Sequence, residues 1–301
     1  MASLGLTVTR LGMRTLSALS IPLAGRLAYR IFCTTESRIP KGKKQRSAHA
    51  EGEAILGAGR PVRLSISTGS VMTTVFGDGL PTHAPRVLVV HGWGSGAAYL
   101  APMAAALHQA GNRVAIIDLP GHGRSSGRTL DMRRAVEAIA AAAREHGPLD
   151  AIVAHSFGGA ASIIATSGLL PCFPRVKAGR LVVIGAPSRL DFIFSGFARM
   201  IGLSRQGLEA VEQQAERGTG LHPASFDGAS LVSSLGIETL VLHAEDDKEV
   251  PADNASRYEN RSARIKVKWM NGLGHRRIVR DAGVFTEIIT FIKGEAERAA
   301  A

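Results

Sequence analysis

The feature that most constrains this chain is an apolar run that ends at a serine and continues into glycines. Residues 149–159 read L-D-A-I-V-A-H-S-F-G-G. A serine held on a sharp turn from a strand into a helix exposes its hydroxyl at the edge of a sheet, where a base and a substrate can reach it. The usual pattern for such a turn is G-x-S-x-G, and here Ala154 replaces the first glycine around Ser156. Serine is also a common N-cap residue, so this stretch alone leaves a simple helix cap open.

Largely apolar runs alternate with helix-like segments along most of the chain. Residues 86–90, 113–117 and 180–184 are typical of strands that are buried on both faces of a parallel sheet. Strands that alternate with helices predict an α/β fold, in which helices cover a mostly parallel sheet on both faces. In such a sheet ligands bind beyond the carboxyl ends of the strands. Polar, glycine-rich segments follow the runs and are expected to meet at that edge: residues 91–94, 118–127, 155–156, 244–247 and 271–275.

Composition argues against several other classes of protein. The chain has 301 residues, of which 45% are hydrophobic, so it is long enough for one large core or a core with an inserted subdomain. The net charge is +11, but much of the excess lies in residues 1–46 and only 5% of residues are aromatic, which disfavours nucleic-acid binding. The two cysteines form no disulfide framework, and we expect a cytoplasmic protein. No phosphate-binding motif is complete and the histidines lack metal-ligand spacing, so we expect neither a cofactor nor a metal.

Residues 1–46 are predicted to form an N-terminal amphipathic and basic segment, with the main domain over residues 47–301. An uncharged run over residues 15–25 is shorter than the about 20 apolar residues that a membrane-spanning helix needs. We therefore expect an amphipathic helix, followed by a basic linker over residues 38–46. The helix either makes peripheral contact with an anionic membrane surface or packs on the domain. Four arginines flank the run: Arg10, Arg14, Arg26 and Arg30.

The polar segments resemble those of the α/β-hydrolase superfamily in content and in order. They read H-G-W-G-S, D-L-P-G-H-G-R-S-S-G, A-H-S-F-G-G, H-A-E-D-D-K-E-V-P and G-L-G-H, and the resemblance covers nearly everything from Val62 to the C-terminus. It implies an eight-stranded, mostly parallel and doubly covered sheet with a helical lid insertion. We assign the insertion to residues 188–234, because the alternation of strands and helices is interrupted there.

The same resemblance implies a catalytic triad in the chain order serine, acid, histidine. Ser156 would be the nucleophile. His275 would be the base, since no other histidine follows the carboxylates in the chain. Asp247 aligns with the acid of the family, and the adjacent Asp246 is the alternative.

Two backbone N–H groups are expected to stabilise the oxyanion that develops on the substrate, those of Trp93 and Phe157. Trp93 lies in the loop after the third strand, and Phe157 directly follows the serine. His91 and His155 lie beside these groups, and we interpret them as structural residues that shape the loops.

The insertion has an apolar face, on which Phe192, Phe194 and Phe197 are predicted to bind the apolar part of a substrate. Alternatively, this face only packs on the core. The sequence predicts a serine hydrolase that cleaves a carboxylic ester or thioester of a hydrophobic small molecule through an acyl-enzyme. Amide or carbon–carbon bond hydrolysis by the same triad is one alternative. A ligand-binding protein without catalytic turnover is the other.

Overall fold

The strands form one mixed sheet. The computed structural model describes residues 4–294, and its strands are β1 (Arg60–Ile66), β2 (Gly69–Phe76), β3 (Arg86–Val90), β4 (Arg113–Asp118), β5 (Leu149–His155), β6 (Ala178–Ile184), β7 (Glu238–His243) and β8 (Ile265–Trp269). Their spatial order is β1-β2-β4-β3-β5-β6-β7-β8. Only β2 runs antiparallel to its neighbours, β1 and β4, and all other neighbouring pairs are parallel. The predicted eight-stranded, mostly parallel sheet is confirmed.

Helices connect most of these strands. They are α1 (Leu4–Leu19), α2 (Ile21–Cys33), α3 (Gly42–Gly57), α4 (Ala97–Gln109), α5 (Met132–His146), α6 (Phe157–Ser167), α7 (Asp191–Ile201), α8 (Arg205–Thr219), α9 (Gly228–Leu235), α10 (Asp253–Ser256), α11 (Gly274–Arg277) and α12 (Ala282–Lys293). Local chemistry sets several ends: the Asp131 carboxylate accepts from the N–H of Arg134 to cap α5, and Gly168 ends α6 at a φ of 72°. Within residues 4–294, none of the helices is long and apolar enough to cross a membrane.

The middle strands are covered on both faces. Val87 and Val89 of β3 belong to the same core cluster as Met103 and Leu107 of α4. The alternate residue Leu88 is equally buried and faces the other way, where α5 and α6 contact β3. Burial on both faces explains why these strands appear in the sequence as continuous apolar runs.

One local prediction differs from the structure. The predicted linker over residues 38–46 is in part the start of α3, whose Gly52 packs so closely on α4 that a Cβ there would lie 1.8 Å from the carbonyl oxygen of Ala98.

The chain divides into two compact units. The larger one contains Thr35–Ser188 and the chain from Gly228 onward, and so holds the whole sheet. The smaller one, which we call the helical unit, consists of the chain up to Thr34 together with Arg189–Asp227. The predicted N-terminal segment, as far as Thr34, thus belongs to the same unit as most of the insertion. The domain boundary after residue 46 stays a prediction.

Four helices, α1, α2, α7 and α8, build the helical unit. α2 packs closely on α8, since a Cβ at Gly25 would lie 2.5 Å from the Cβ of Ala210. The ring of Phe32 lies 4.8 Å from that of Phe194 and 5.0 Å from that of Phe197, measured between centroids. The N-terminal segment thus contains two helices rather than the one predicted, and they pack on the helices of the insertion.

Candidate active site

Ser156 lies on a strained turn between β5 and α6. Its φ is 54° and its ψ is −127°, a conformation that non-glycine residues rarely adopt. The turn is held on one side by the N–H of Ser156, which donates to the Ile184 carbonyl at 2.9 Å, and on the other by the N–H of Gly159, which donates to the Ser156 carbonyl at 2.8 Å. The side chain forms no capping hydrogen bond to α6, so the simple helix cap is not what this serine provides.

Small residues allow the turn to approach its neighbours. A Cβ on Gly158 would lie 2.3 Å from the carbonyl oxygen of His91, and a Cβ on Gly92 would lie 2.7 Å from the Cβ of Ser156. Both distances are too short for atoms that are not bonded to each other. The loop after β3 and the turn after β5 therefore depend on glycine at both positions. Ala154 takes the place of the first glycine of the pattern and is fully buried in β5.

The structure brings Ser156, His275 and Asp247 together in one line of hydrogen bonds. Nε2 of His275 lies 3.0 Å from Oγ of Ser156, and Nδ1 of the same ring lies 2.7 Å from Oδ2 of Asp247. The alternative acid, Asp246, is exposed, and its Oδ1 instead accepts from the N–H of Gly272 at 2.8 Å. Of the two carboxylates, Asp247 is therefore the one in contact with the imidazole.

The surroundings of Asp247 favour its ionised form. Burial opposes ionisation, but hydrogen bonds from His275 and from the N–H groups of Val250 and Glu249 outweigh it, so the pKa of the Asp247 carboxyl lies below its usual value. Both N–H groups donate to Oδ1 at 2.8 Å, which leaves Oδ2 for the imidazole. A carboxylate only accepts, so Nδ1 of His275 carries the proton and Nε2 presents a lone pair to Ser156.

Other buried histidines hold this arrangement in place. The ring of His155 lies 4.7 Å from that of His275, and its Nε2–H donates to the His275 carbonyl at 3.0 Å. Nε2–H of His243 donates to the Val250 carbonyl at 3.0 Å and so steadies the loop that carries Asp247. Burial lowers the pKa of His155 to about 3, so this ring is neutral near neutral pH.

The loop after β3 places Trp93 beside Phe157. The Trp93 indole makes edge contacts with the rings of Phe157 and His122, at centroid distances of 5.8 and 5.9 Å. Nε2 of His122 accepts from the N–H of Gly94 at 3.0 Å, and its Nδ1–H donates to the Pro120 carbonyl at 3.0 Å. Phe157 is the first residue of α6, so its N–H has no carbonyl partner within the helix.

The predicted substrate-binding phenylalanines lie in a different unit from the triad. Phe192, Phe194 and Phe197 belong to α7 of the helical unit. Two of them, Phe194 and Phe197, pack against Phe32 of α2. Their role in substrate binding stays a prediction.

Several contributing residues were not assigned from the sequence. A Cβ on Gly185, which follows β6 at a φ of 53°, would lie 3.3 Å from Nδ1 of His275. Glu249 places Oε2 3.9 Å from Nε2 of His275 and accepts from Nε of Arg276 at 2.7 Å. In the sequence, only the position of Gly185 and Glu249 in loops that follow strands indicates that they lie near the site. Within residues 4–294, no group of histidine, cysteine, aspartate or glutamate side chains is arranged to hold a metal ion.

A serine on a strand-to-helix turn, with an acid and a histidine after later strands of the same parallel sheet, defines the architecture of the α/β hydrolases. The chain belongs to the alpha/beta hydrolase family, whose pattern it matches over residues 87–287. A search among curated proteins finds no match.

Solved structures share this fold at low sequence identity. An esterase from Pyrococcus furiosus is 15% identical with a TM-score of 0.61, over 87% of this chain and 97% of that one. The carboxylesterase CesB from Bacillus subtilis is 17% identical with a TM-score of 0.57, over 83% and 97% respectively. The thioesterase domain from the curacin biosynthetic pathway is 18% identical with a TM-score of 0.53, over 78% and 99%. These similarities establish the fold.

Proposed function

We propose that the protein is a serine hydrolase that cleaves a carboxylic ester or thioester through an acyl-enzyme. One observation carries this proposal: the unbroken line of hydrogen bonds from Oγ of Ser156 through His275 to Asp247. It is supported by the strained turn that exposes the serine and by the family to which the chain belongs.

In the first half of the reaction, Nε2 of His275 takes the proton of Ser156 while Oγ attacks the carbonyl carbon. The oxygen of the tetrahedral intermediate accepts hydrogen bonds from the N–H groups of Phe157 and Trp93. The intermediate collapses, and the imidazolium gives its proton to the leaving alkoxide or thiolate. Asp247 stays ionised and stabilises the charged imidazolium throughout.

In the second half, a water molecule gives its proton to His275 and attacks the acyl carbon. Collapse of this second intermediate returns the proton to Oγ of Ser156 and releases a carboxylic acid. The reaction consumes one water and needs no other reactant.

The choice of esters and thioesters rests on the similar solved structures, which include an esterase, a carboxylesterase and a thioesterase domain. Amide and carbon–carbon bond hydrolysis use the same groups, with a nitrogen or carbon leaving group in place of oxygen or sulfur. A panel of p-nitrophenyl esters, thioesters and anilides of graded acyl length separates these substrates. It also tests whether the acyl group is hydrophobic, since kcat/KM should then rise with chain length.

Labelling with a fluorophosphonate probe tests the nucleophile. We expect the wild-type protein to be labelled at Ser156, and Ser156→Ala to lose both labelling and turnover, the latter by about a millionfold. Ser256→Ala changes an exposed helix serine and is the matched control. A folded wild-type protein that is neither labelled nor active on the panel would contradict the proposal and favour a ligand-binding protein.

A further inference from the structure

The helical unit carries nearly all the large apolar side chains that the structure exposes. Among the described residues, eight such side chains are exposed, and six of them lie on α1 and α2. The other two are Met200 at the end of α7 and Ile39 in the larger unit. The six are Val8, Leu11 and Leu19 on α1, and Leu23, Leu27 and Ile31 on α2.

These side chains form rows along the outer faces of the two helices. On α2, Leu23, Leu27 and Ile31 are spaced by four residues and therefore lie on one face, with exposed fractions of 50%, 43% and 38%. On α1, Leu11 and Leu19 are separated by eight residues and so share a face. An exposed apolar area of this kind marks an interaction surface.

Packing inside the unit does not need these residues. α2 packs on α8, and its buried small residues Ala24, Gly25 and Ala28 lie on a different face from the apolar row. The close approach of Gly25 to Ala210 shows that the two helices pack tightly through that face. The apolar row is therefore left over for a partner outside the unit.

Charge identifies the partner. Residues 4–34 contain Arg10, Arg14, Arg26 and Arg30 and no acidic residue. Arg26 and Arg30 are exposed and flank the apolar row of α2. A second copy of this chain docked through the same surface would bring these arginines near one another, which is unfavourable. An anionic lipid surface instead offers acyl chains to the leucines and phosphates to the arginines.

Helix length decides how the surface meets the bilayer. The two helices have 16 and 13 residues, which at about 1.5 Å per residue is shorter than the about 30 Å hydrocarbon layer. Ser20 separates them in an extended conformation, and its side chain accepts from the N–H of Leu23 to begin α2. We propose that α1 and α2 form a docking surface for anionic membranes. Both helices would lie in the interface between water and lipid, with the apolar row of α2 in contact with acyl chains.

Co-sedimentation of the full-length protein with vesicles tests this docking. Wild-type protein should bind vesicles of phosphatidylcholine with phosphatidylglycerol, and bind phosphatidylcholine alone far more weakly. Leu23→Ser/Leu27→Ser should lower the partition coefficient by about tenfold or more, because two apolar side chains no longer enter the interface. Ile39→Ser removes an exposed apolar side chain outside the helical unit and should leave binding unchanged.

A second variant tests the charges independently. Arg26→Gln/Arg30→Gln should weaken binding to the anionic vesicles by about fivefold per arginine and reduce its dependence on salt. Arg144→Gln removes an exposed arginine at the end of α5 and is the matched control. Far-UV circular dichroism of each variant verifies that the helices are retained.

Three results would overturn the proposal. The first is a wild-type protein that does not bind anionic vesicles at low salt. The second is binding that survives both double variants. The third is a wild-type dimer, found by analytical ultracentrifugation, that Leu23→Ser/Leu27→Ser dissociates, since the row would then be covered by a second copy of the chain.

Discussion

Buried neutral histidines should make this protein sensitive to acid. Burial lowers the pKa of His91 and of His122 to about 4 and that of His155 to about 3, whereas a histidine in an unfolded chain has a pKa of about 6.5. As the pH falls below the unfolded value, the unfolded chain takes up protons that the folded chain does not bind. The stabilisation from these neutral rings is therefore complete above about pH 6.5 and is lost as the pH falls toward about 4.

The size of this loss of stability follows from the difference between the folded and unfolded pKa values of each histidine. Each of the three histidines should cost about 2 kcal/mol between about pH 7 and about pH 5, or about 6 kcal/mol together. Asp118 acts in the opposite direction, because burial raises the pKa of its carboxyl and its protonation in acid favours the folded state. Even when Asp118 offsets part of it, a loss of this order is a large part of the about 5–15 kcal/mol that stabilises a typical domain.

Urea unfolding at the two pH values, followed by far-UV circular dichroism, measures the loss. His122→Gln removes one titrating ring but keeps an acceptor and a donor for the N–H of Gly94 and the carbonyl of Pro120. It should reduce the loss by about 2 kcal/mol. His83→Gln removes an exposed imidazole and is the matched control. A wild-type loss below about 1 kcal/mol, or the same loss in His122→Gln, would refute the reasoning.

Substitutions at four further positions test the site. Asp247→Asn should lower kcat about ten-thousandfold, because the amide no longer holds the imidazole in the right tautomer. Asp246→Asn should cost far less, and the reverse order in steady-state kinetics would move the assignment of the acid. Gly158→Ala should lower stability by about 1–3 kcal/mol, seen as a lower melting temperature, because its Cβ would meet a carbonyl oxygen at 2.3 Å. His155→Phe should lower kcat about tenfold by leaving the His275 carbonyl without its donor. His155→Gln should restore part of that loss, and equal kinetics for Phe and Gln would exclude the positioning role.

Much of the fold follows from local signals in the sequence. Apolar runs identify the strands because burial on both faces requires them, and the loops after the strands carry the polar residues of the site. The assignment between Asp246 and Asp247 is different, since two adjacent carboxylates carry the same chemistry. In the structure, the turn at Glu249 and Val250 directs two N–H groups at Asp247, and His275 contacts this carboxylate and not Asp246.

What the sequence does not reveal is pairing between distant segments. Residues 38–46 are basic and contain Pro40 and Gly42, which favours a linker. Helix α3 forms nonetheless, because Gly52 allows close contact with Ala98 of α4. The contact of Gly25 with Ala210 in the helical unit is of the same kind. A glycine that permits close packing of two helices has no signature in its own neighbourhood.

The ribosome makes the two parts of the helical unit at different times. α2 ends at Cys33 and α7 begins at Asp191, so at about 5–20 residues per second the first pair of helices waits about 10–30 s for the second. During this interval Phe32 and Ala28 have no α7 or α8 to cover them. We therefore expect these helices to be more prone to aggregate during synthesis than in the finished fold.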